Sequence, residues 1–173
     1  RGVNVTLVEA ETRGFGGSTR NGGIVHPGYK WGPRTLVKRY GDATGRDLFR
    51  NTLDAYGLVK GLIADESIDC EFRECGYLDL AYGASHVGDL IETGRTLVDF
   101  GVDAAFVPRE QLKEEIGSDA YHGGLAVAQG ALVHPGKYFA GLAAAAERAG
   151  ADLHEGVRAR ALRRQADGRV VVE

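Results

Sequence analysis

The sequence predicts a mixed α/β protein, α+β overall, in which a parallel-sheet portion is interrupted by an inserted region of helices and mixed strands. Three observations lead there. An apolar, β-branched run, Val3 to Val8, ends at an acid, Glu9, and opens into a loop holding Gly14, Gly16, Gly17, Gly22 and Gly23. A long helical pattern and a series of short alternating runs follow, without a second loop of that kind. An alanine-rich helix and further apolar runs close the chain.

Val3 to Val8 reads as a buried parallel strand, because its residues are mostly apolar on both faces. A carboxylate at the end of such a strand accepts from ribose hydroxyls, and bare glycine amides can approach phosphate, so the stretch suits a dinucleotide. The other reading of Glu9 is a solvated strand-end residue. An acid so placed closes the second strand of a dinucleotide fold, whose glycine fingerprint belongs roughly 20 residues upstream, before Arg1. Phe15 to Gly23 is no regular element, since so many glycines forfeit backbone entropy. Either the chain there comes close to phosphate or a flavin ring, or the stretch is a mobile surface loop. Ser18, Thr19, Arg20 and Asn21 add hydroxyl, guanidinium and amide donors that suit a pyrophosphate.

The segment HPGYKW, His26 to Trp31, brings together a His, a Tyr and the chain's one Trp. It reads either as aromatic walls for an amine substrate or as packing under a proline turn. From Pro33 to about Glu66, Leu36, Tyr40, Leu48, Leu53, Tyr56, Val59 and Leu62 recur at roughly helical spacing, with a break near Gly41 to Gly45. This stretch reads as scaffold, and Arg34, Lys38 and Arg39 as a solvated face, with steering of an acidic substrate as the functional alternative. Glu71 to Tyr82 alternates as one strand, with Gly76 a bend or bulge. A helix over about Ser85 to Phe100 stops at Gly101. Ala104 to Val107 is a strand, Pro108 to Ile116 a helix, and Gly123 to Gln129 and Ala131 to Val133 two more strands. Pro135 precedes a strong helix, Lys137 to Ala149, ended by Gly150. Ala151 to Glu155 follows, then Ala159 to Arg164, a turn at Asp167-Gly168 and Arg169 to Glu173.

Composition narrows the function. With a net charge of −3 and charges of both signs mixed along 173 residues, there is no basic patch for nucleic acid. No apolar run approaches the roughly 18 residues of a membrane span, so a cytoplasmic protein is expected. Cys70 and Cys75 have no second pair and no nearby histidine, which favours free thiols over zinc. There is no methionine, and the chain starts at RG and ends inside RVVVE. It reads as an internal piece of a longer protein.

The stretch VTLVEAETRGFGGSTRNGGIVHPGY resembles the second-strand and flavin-loop region of the FAD-dependent D-amino-acid oxidase superfamily. GSTRNGG and HPGY are most similar to its gamma-glutamylputrescine oxidoreductase branch, and SIDCEFRECGYLDLA and SDAYHGGLAVAQGALVHPGKYFAGLAAAAERAGADL fit the same branch. The resemblance implies an incomplete Rossmann-like FAD-binding domain with an inserted mixed-sheet substrate or cap domain. Residues 1–32 would be the partial FAD-binding domain, 33–134 the substrate or cap region, and 135–173 the return to the cofactor domain. FAD would be held by Glu9, Ala10, Gly17, Ser18, Arg20, Asn21, Gly22, Gly23 and Ile24, and by the backbone of Ala159 at the adenine edge. The implied reaction oxidises the C–N bond of an amine or amino acid to an imine, which hydrolyses, with oxygen or another acceptor reoxidising the flavin.

His26 and Tyr29 are the candidates for the chemistry, and no metal is expected. His134 also precedes a proline, and a structural role competes with a catalytic one for both histidines. In flavin amine oxidation the cofactor takes the hydride while the protein orients the substrate, so a dedicated base is dispensable. Two rivals fit the residues alone: an NAD(P)-dependent dehydrogenase, since a ribose-binding acid suits either cofactor, and a non-catalytic binding protein on the same fold.

Overall fold

The computed structural model describes residues 3–173. The chain divides into two compact units. The first takes the chain up to Gly22, then Ile63–Cys70 and His134–Glu173; the second takes Gly23–Leu62 and Glu71–Val133. The first division thus falls ten residues before the expected 32/33 boundary, and a short segment after the long helix returns to the first unit.

In the first unit, β1 (Thr6–Val8) pairs in parallel with β8 (Asp152–His154), with Leu7 opposite Leu153. The helix before β8, α5 (Pro135–Arg148), begins with Pro135 in its first turn. His134 caps it, its Nδ1 accepting from the Lys137 amide at 3.2 Å. That bond spends one ring nitrogen on the helix, so His134 has a structural role. Arg13 binds the loop after β1 to this helix and strand: its guanidinium donates to Glu147 at 2.6 Å and to the Leu153 carbonyl at 3.0 Å. β9 (Leu162–Arg164) and β10 (Val170–Val172) form a separate hairpin around Asp167-Gly168.

The expectation that the first strand is buried is corrected. Val3 is 77% and Leu7 52% exposed. Pairing with β8 satisfies one backbone edge but hides neither side-chain face, and α5 has no fully buried residue to cover them.

The second unit holds two three-stranded antiparallel sheets. In one, β7 (Ala131–Leu132) lies between β2 (Ile24–Val25) and β3 (Arg73–Glu74). In the other, β6 (Gly123–Val127) lies between β4 (Tyr77–Leu80) and β5 (Ala104–Pro108). The single strand expected over residues 71–82 is therefore two strands in different sheets. Gly76 makes the switch at φ 64°, while the Cys75 and Gly76 amides both donate to the Gly130 carbonyl. Alternation continues through the bend, which is why the pattern conceals it.

The helices follow their signals closely. α1 (Pro33–Tyr40) and α2 (Asp42–Asp65) meet at Gly41, φ 83°, and a Cβ on Gly45 would lie 2.7 Å from the Val37 backbone. α3 (Ala84–Asp99) brings Gly94 against Leu125, and α4 (Arg109–Ile116) ends at Gly117 in the left-handed conformation. Leu36, Phe49, Leu97, Val102, Leu125 and Val127 form the core of this unit.

Candidate functional site

In the first unit, the end of β1 is surrounded by open backbone. The Glu9 amide donates to the His154 carbonyl at 2.8 Å, which extends the parallel pairing to the acid. The half-buried Glu9 carboxylate accepts from the Glu11 amide at 2.9 Å, a contact that holds it across the strand end and leaves its other oxygen for a ligand. The segment after β8 folds back onto this turn. Val157 donates to the Glu9 carbonyl at 2.9 Å, Gly156 to the Glu11 carbonyl at 3.1 Å, and Arg158 to the Glu11 carboxylate at 3.0 Å. Ala159 follows these contacts in the chain, and neither its amide nor its carbonyl has a partner among the described residues.

The glycine loop is ordered by its own polar groups. Thr19 donates its hydroxyl to the Gly14 carbonyl, the Asn21 amide donates to the carbonyls of Gly17 and Ser18, and the Arg20 amide closes a turn onto Gly17 at 3.2 Å. Arg20 lays its guanidinium 4.5 Å over the Phe15 ring. What remains is a run of backbone amides, Gly16, Gly17 and Ser18, with no acceptor among the described residues, and a Cβ on Gly16 or Gly17 would meet nothing within 4 Å. Successive free amides in an exposed turn are the donor set of an anion nest. The carboxylate for a ribose, the free amides for phosphate and the open Ala159 peptide for a purine edge fit FAD. Glu9, Ala10, Gly17, Ser18, Arg20, Asn21, Gly22 and Ala159 all lie in this unit.

Gly23, Ile24, His26 and Tyr29 lie in the second unit. The chain leaves the loop through the buried, left-handed Gly23 into β2, and His26 follows directly. His26 places Nδ1 3.0 Å from the Pro27 carbonyl oxygen. A carbonyl only accepts, so Nδ1 carries the hydrogen and Nε2 the lone pair. The ring stands tilted against Tyr77, centroids 5.2 Å apart. His26 and Tyr29 together line a concavity of 260 Å³, whose far wall is Asn51, Thr52, Ala55, Tyr56 and Val59 of α2.

That wall belongs to the stretch of residues 33–66 read as scaffold, and Tyr56 and Thr52 in it are buried. Thr52 spends its hydroxyl on the Phe49 carbonyl at 2.6 Å, and Tyr56 donates to Glu74 at 3.2 Å. Lys60 donates to the same Glu74 oxygen at 2.6 Å, so α2 is tied to β3 and through it to the sheet carrying Ile24. Tyr56 was legible only as one apolar member of a helical stripe. The polar neighbours Asn51 and Thr52 on that same stripe were the available sign that it faces a site.

The Lys60 hydrogen bond holds the Glu74 carboxyl below its ordinary range, and burial raises the Tyr56 hydroxyl above the usual phenol range, with Glu74 adding to it. A lowered carboxylate contributes stability that is present above its unfolded value and is lost as pH falls through the lowered one. Glu74→Gln should accordingly give a shallower acid-side loss of stability than wild type, a small effect for a half-exposed group. Denaturant midpoints at neutral and acidic pH check it; parallel curves would contradict the assignment.

Among the described residues no cluster of three His, Cys, Asp or Glu side chains is suited to a metal ion, and no helix is long and apolar enough to cross a membrane. Neither Cys70 nor Cys75 forms a disulfide.

Comparison with known proteins gives these features a family. The model for "DAO: FAD dependent oxidoreductase" matches residues 1–173. The chain is 31% identical over 157 residues to the probable oxidoreductase OrdL of Haemophilus influenzae, covering 90% of this chain and 36% of that protein. It is 29% identical over 135 residues to the gamma-glutamylputrescine oxidoreductase of Escherichia coli, covering 78% of this chain and 32% of that one. The chain thus spans about a third of these curated relatives. Glycine oxidase from Geobacillus kaustophilus shares the fold, with a TM-score of 0.79 at 20% identity over 98% of this chain and 44% of that structure. An FAD-dependent family across the whole chain displaces the nicotinamide alternative. The chain belongs to the DAO family of FAD-dependent oxidoreductases.

Proposed function

We propose that the intact protein oxidises the C–N bond of an amine or amino acid, of the gamma-glutamylputrescine kind, to an imine that water converts to a carbonyl product and ammonia or amine. One observation supports the reading above the others: Glu9, Ala159 and the free amides of residues 16–18 give one unit donors and acceptors of the kinds that a ribose, a purine edge and a phosphate take. FAD, when bound, supplies the two-electron acceptor, reoxidised by oxygen or another acceptor. Glu9 would hold the ribose, the Gly17 to Gly23 stretch and Ile24 the phosphates and ring, and Ala159 the adenine edge. His26, through Nε2, takes the ammonium proton that must leave before the amine nitrogen can donate electrons. Tyr29 and Tyr56 wall the concavity and hold the substrate chain. Cys70 and Cys75, neither of them in a disulfide, support a reducing, cytoplasmic setting.

A visible absorbance spectrum of the purified intact protein tests the cofactor, and anaerobic bleaching by gamma-glutamylputrescine and by simpler amines tests the reaction. A colourless protein that gains no flavin bands on reconstitution would overturn the reading in favour of a binding protein. Tyr29→Ala and His26→Gln should each lower amine turnover about ten- to a hundredfold with the flavin retained. Loss of flavin with unchanged activity per bound flavin would refute the placement of both residues.

A further inference from the structure

The concavity beside His26 does not end at Tyr29. Tyr29 is also a wall of a second concavity of 380 Å³, lined by Lys30, Trp31, Leu36, Tyr40 and Leu48. Both open along one face of α2, because Leu48, Asn51, Thr52, Ala55, Tyr56 and Val59 follow one another at steps of three and one, the spacing of a single helical stripe. At 1.5 Å per residue, Leu48 lies about 5 Å along the axis from Asn51 and Thr52. A chain of a few methylenes spans that step.

The two concavities differ in chemistry. The first offers His26, Asn51 and two tyrosines. The second is aromatic and aliphatic, has no carboxylate in its lining, and has a cation on its wall in Lys30. A second cation stands next to one of its walls: the Arg39 guanidinium, outside the lining itself, lies 4.1 Å from the centroid of the Trp31 ring. Neither Lys30 nor Arg39 has an acidic partner among the described residues, unlike Arg34, Arg46 and Lys60 in the same unit. An apolar groove with one cation in its wall and a second packed on its Trp31 ring, neither with an acidic partner among the described residues, favours an alkyl segment that ends in an anion and disfavours one that ends in a second ammonium.

We infer that the Trp31 concavity is the subsite for the far end of the substrate, and that it selects amines whose apolar chain ends in a carboxylate. The inference rests on the proposed amine oxidation for the near end only. Trp31 and Tyr40 hold the chain, and Lys30 and Arg39 meet the terminal anion.

The test has a kinetic and a binding arm, both on the intact holoenzyme. Three substrates of equal chain length, an ω-amino acid, an n-alkylamine and an α,ω-diamine, should rank in that order in kcat/KM, with at least a tenfold spread. A Lys30→Gln, Arg39→Gln double variant should bring the amino acid down to the alkylamine. Independently of turnover, a medium-chain carboxylate lacking the amine should quench Trp31 emission saturably, read as the difference between wild type and Trp31→Phe, and the alcohol of equal length should bind at least tenfold more weakly. Equal kcat/KM for the three substrates, a preference that survives the double variant, or no difference in quenching would each overturn the inference. Quenching without turnover of any amine would support the subsite and sink the proposed reaction instead.

Discussion

Glu9→Ala in the intact protein should raise the dissociation constant for FAD about ten- to a hundredfold and leave turnover at saturating FAD close to wild type. A carboxylate at a strand end that accepts from ribose hydroxyls makes charge-assisted bonds of roughly 1.5–3 kcal/mol each. Its neighbours hold it in place, since the Glu11 amide occupies one oxygen and Val157 of the returning segment donates to the Glu9 carbonyl. The effect belongs to affinity because the ribose is remote from the reacting ring. Titration of apoprotein with FAD, followed by flavin fluorescence, gives the constant. An unchanged value would make Glu9 a solvated strand-end residue and remove the cofactor assignment of this turn.

Gly76→Ala should be the most damaging of the single-methyl additions to the fold, destabilising the protein by about 2–4 kcal/mol. Two penalties combine there. The residue sits at φ 64°, and its new Cβ would lie 2.5 Å from the carbonyl oxygen of Val127, a backbone atom fixed within β6. Gly117→Ala separates them: Gly117 has φ 65° in the left-handed conformation but open space around it, so alanine should cost only that conformation, about 1–2 kcal/mol. Denaturant unfolding of both variants checks the pair. Equal losses would show that the close approach at Gly76 carries no energy.

Local signals were legible where local physics decides the outcome. Pro33, Gly41, Gly117 and Gly150 mark helix ends because a fixed φ, a missing donor or a left-handed residue is a property of the residue itself. The same holds for Glu9 and the glycine loop, whose chemistry lies in residue type and order. The role proposed for Ala159 rests on family resemblance, since a backbone peptide can serve with any side chain. Partnership was not legible. The alternation of residues 71–82 says strand but not which strand it meets, so the split at Gly76 appears only when Glu74 is seen opposite Ala131 and Tyr77 opposite Val127. The exposure of β1 escaped for a similar reason: an apolar pattern states which side chains favour burial, while the neighbouring elements decide whether they are buried. Tyr56 reads as core and is buried, and only the pairing of α2 with β3 shows that its hydroxyl meets Glu74.

The order β2-β7-β3 has a consequence during synthesis. Ile24 and Val25 pair only with Leu132 and Ala131, more than a hundred residues later in the chain, and Arg73 and Glu74 wait for the same two residues. At roughly 5–20 residues per second, the ribosome releases β7 about 5–20 s after β2. Over that interval β2, and for its later part β3 as well, has no β7 to pair with. The nascent chain is therefore exposed to mispairing until the residues just ahead of α5 emerge.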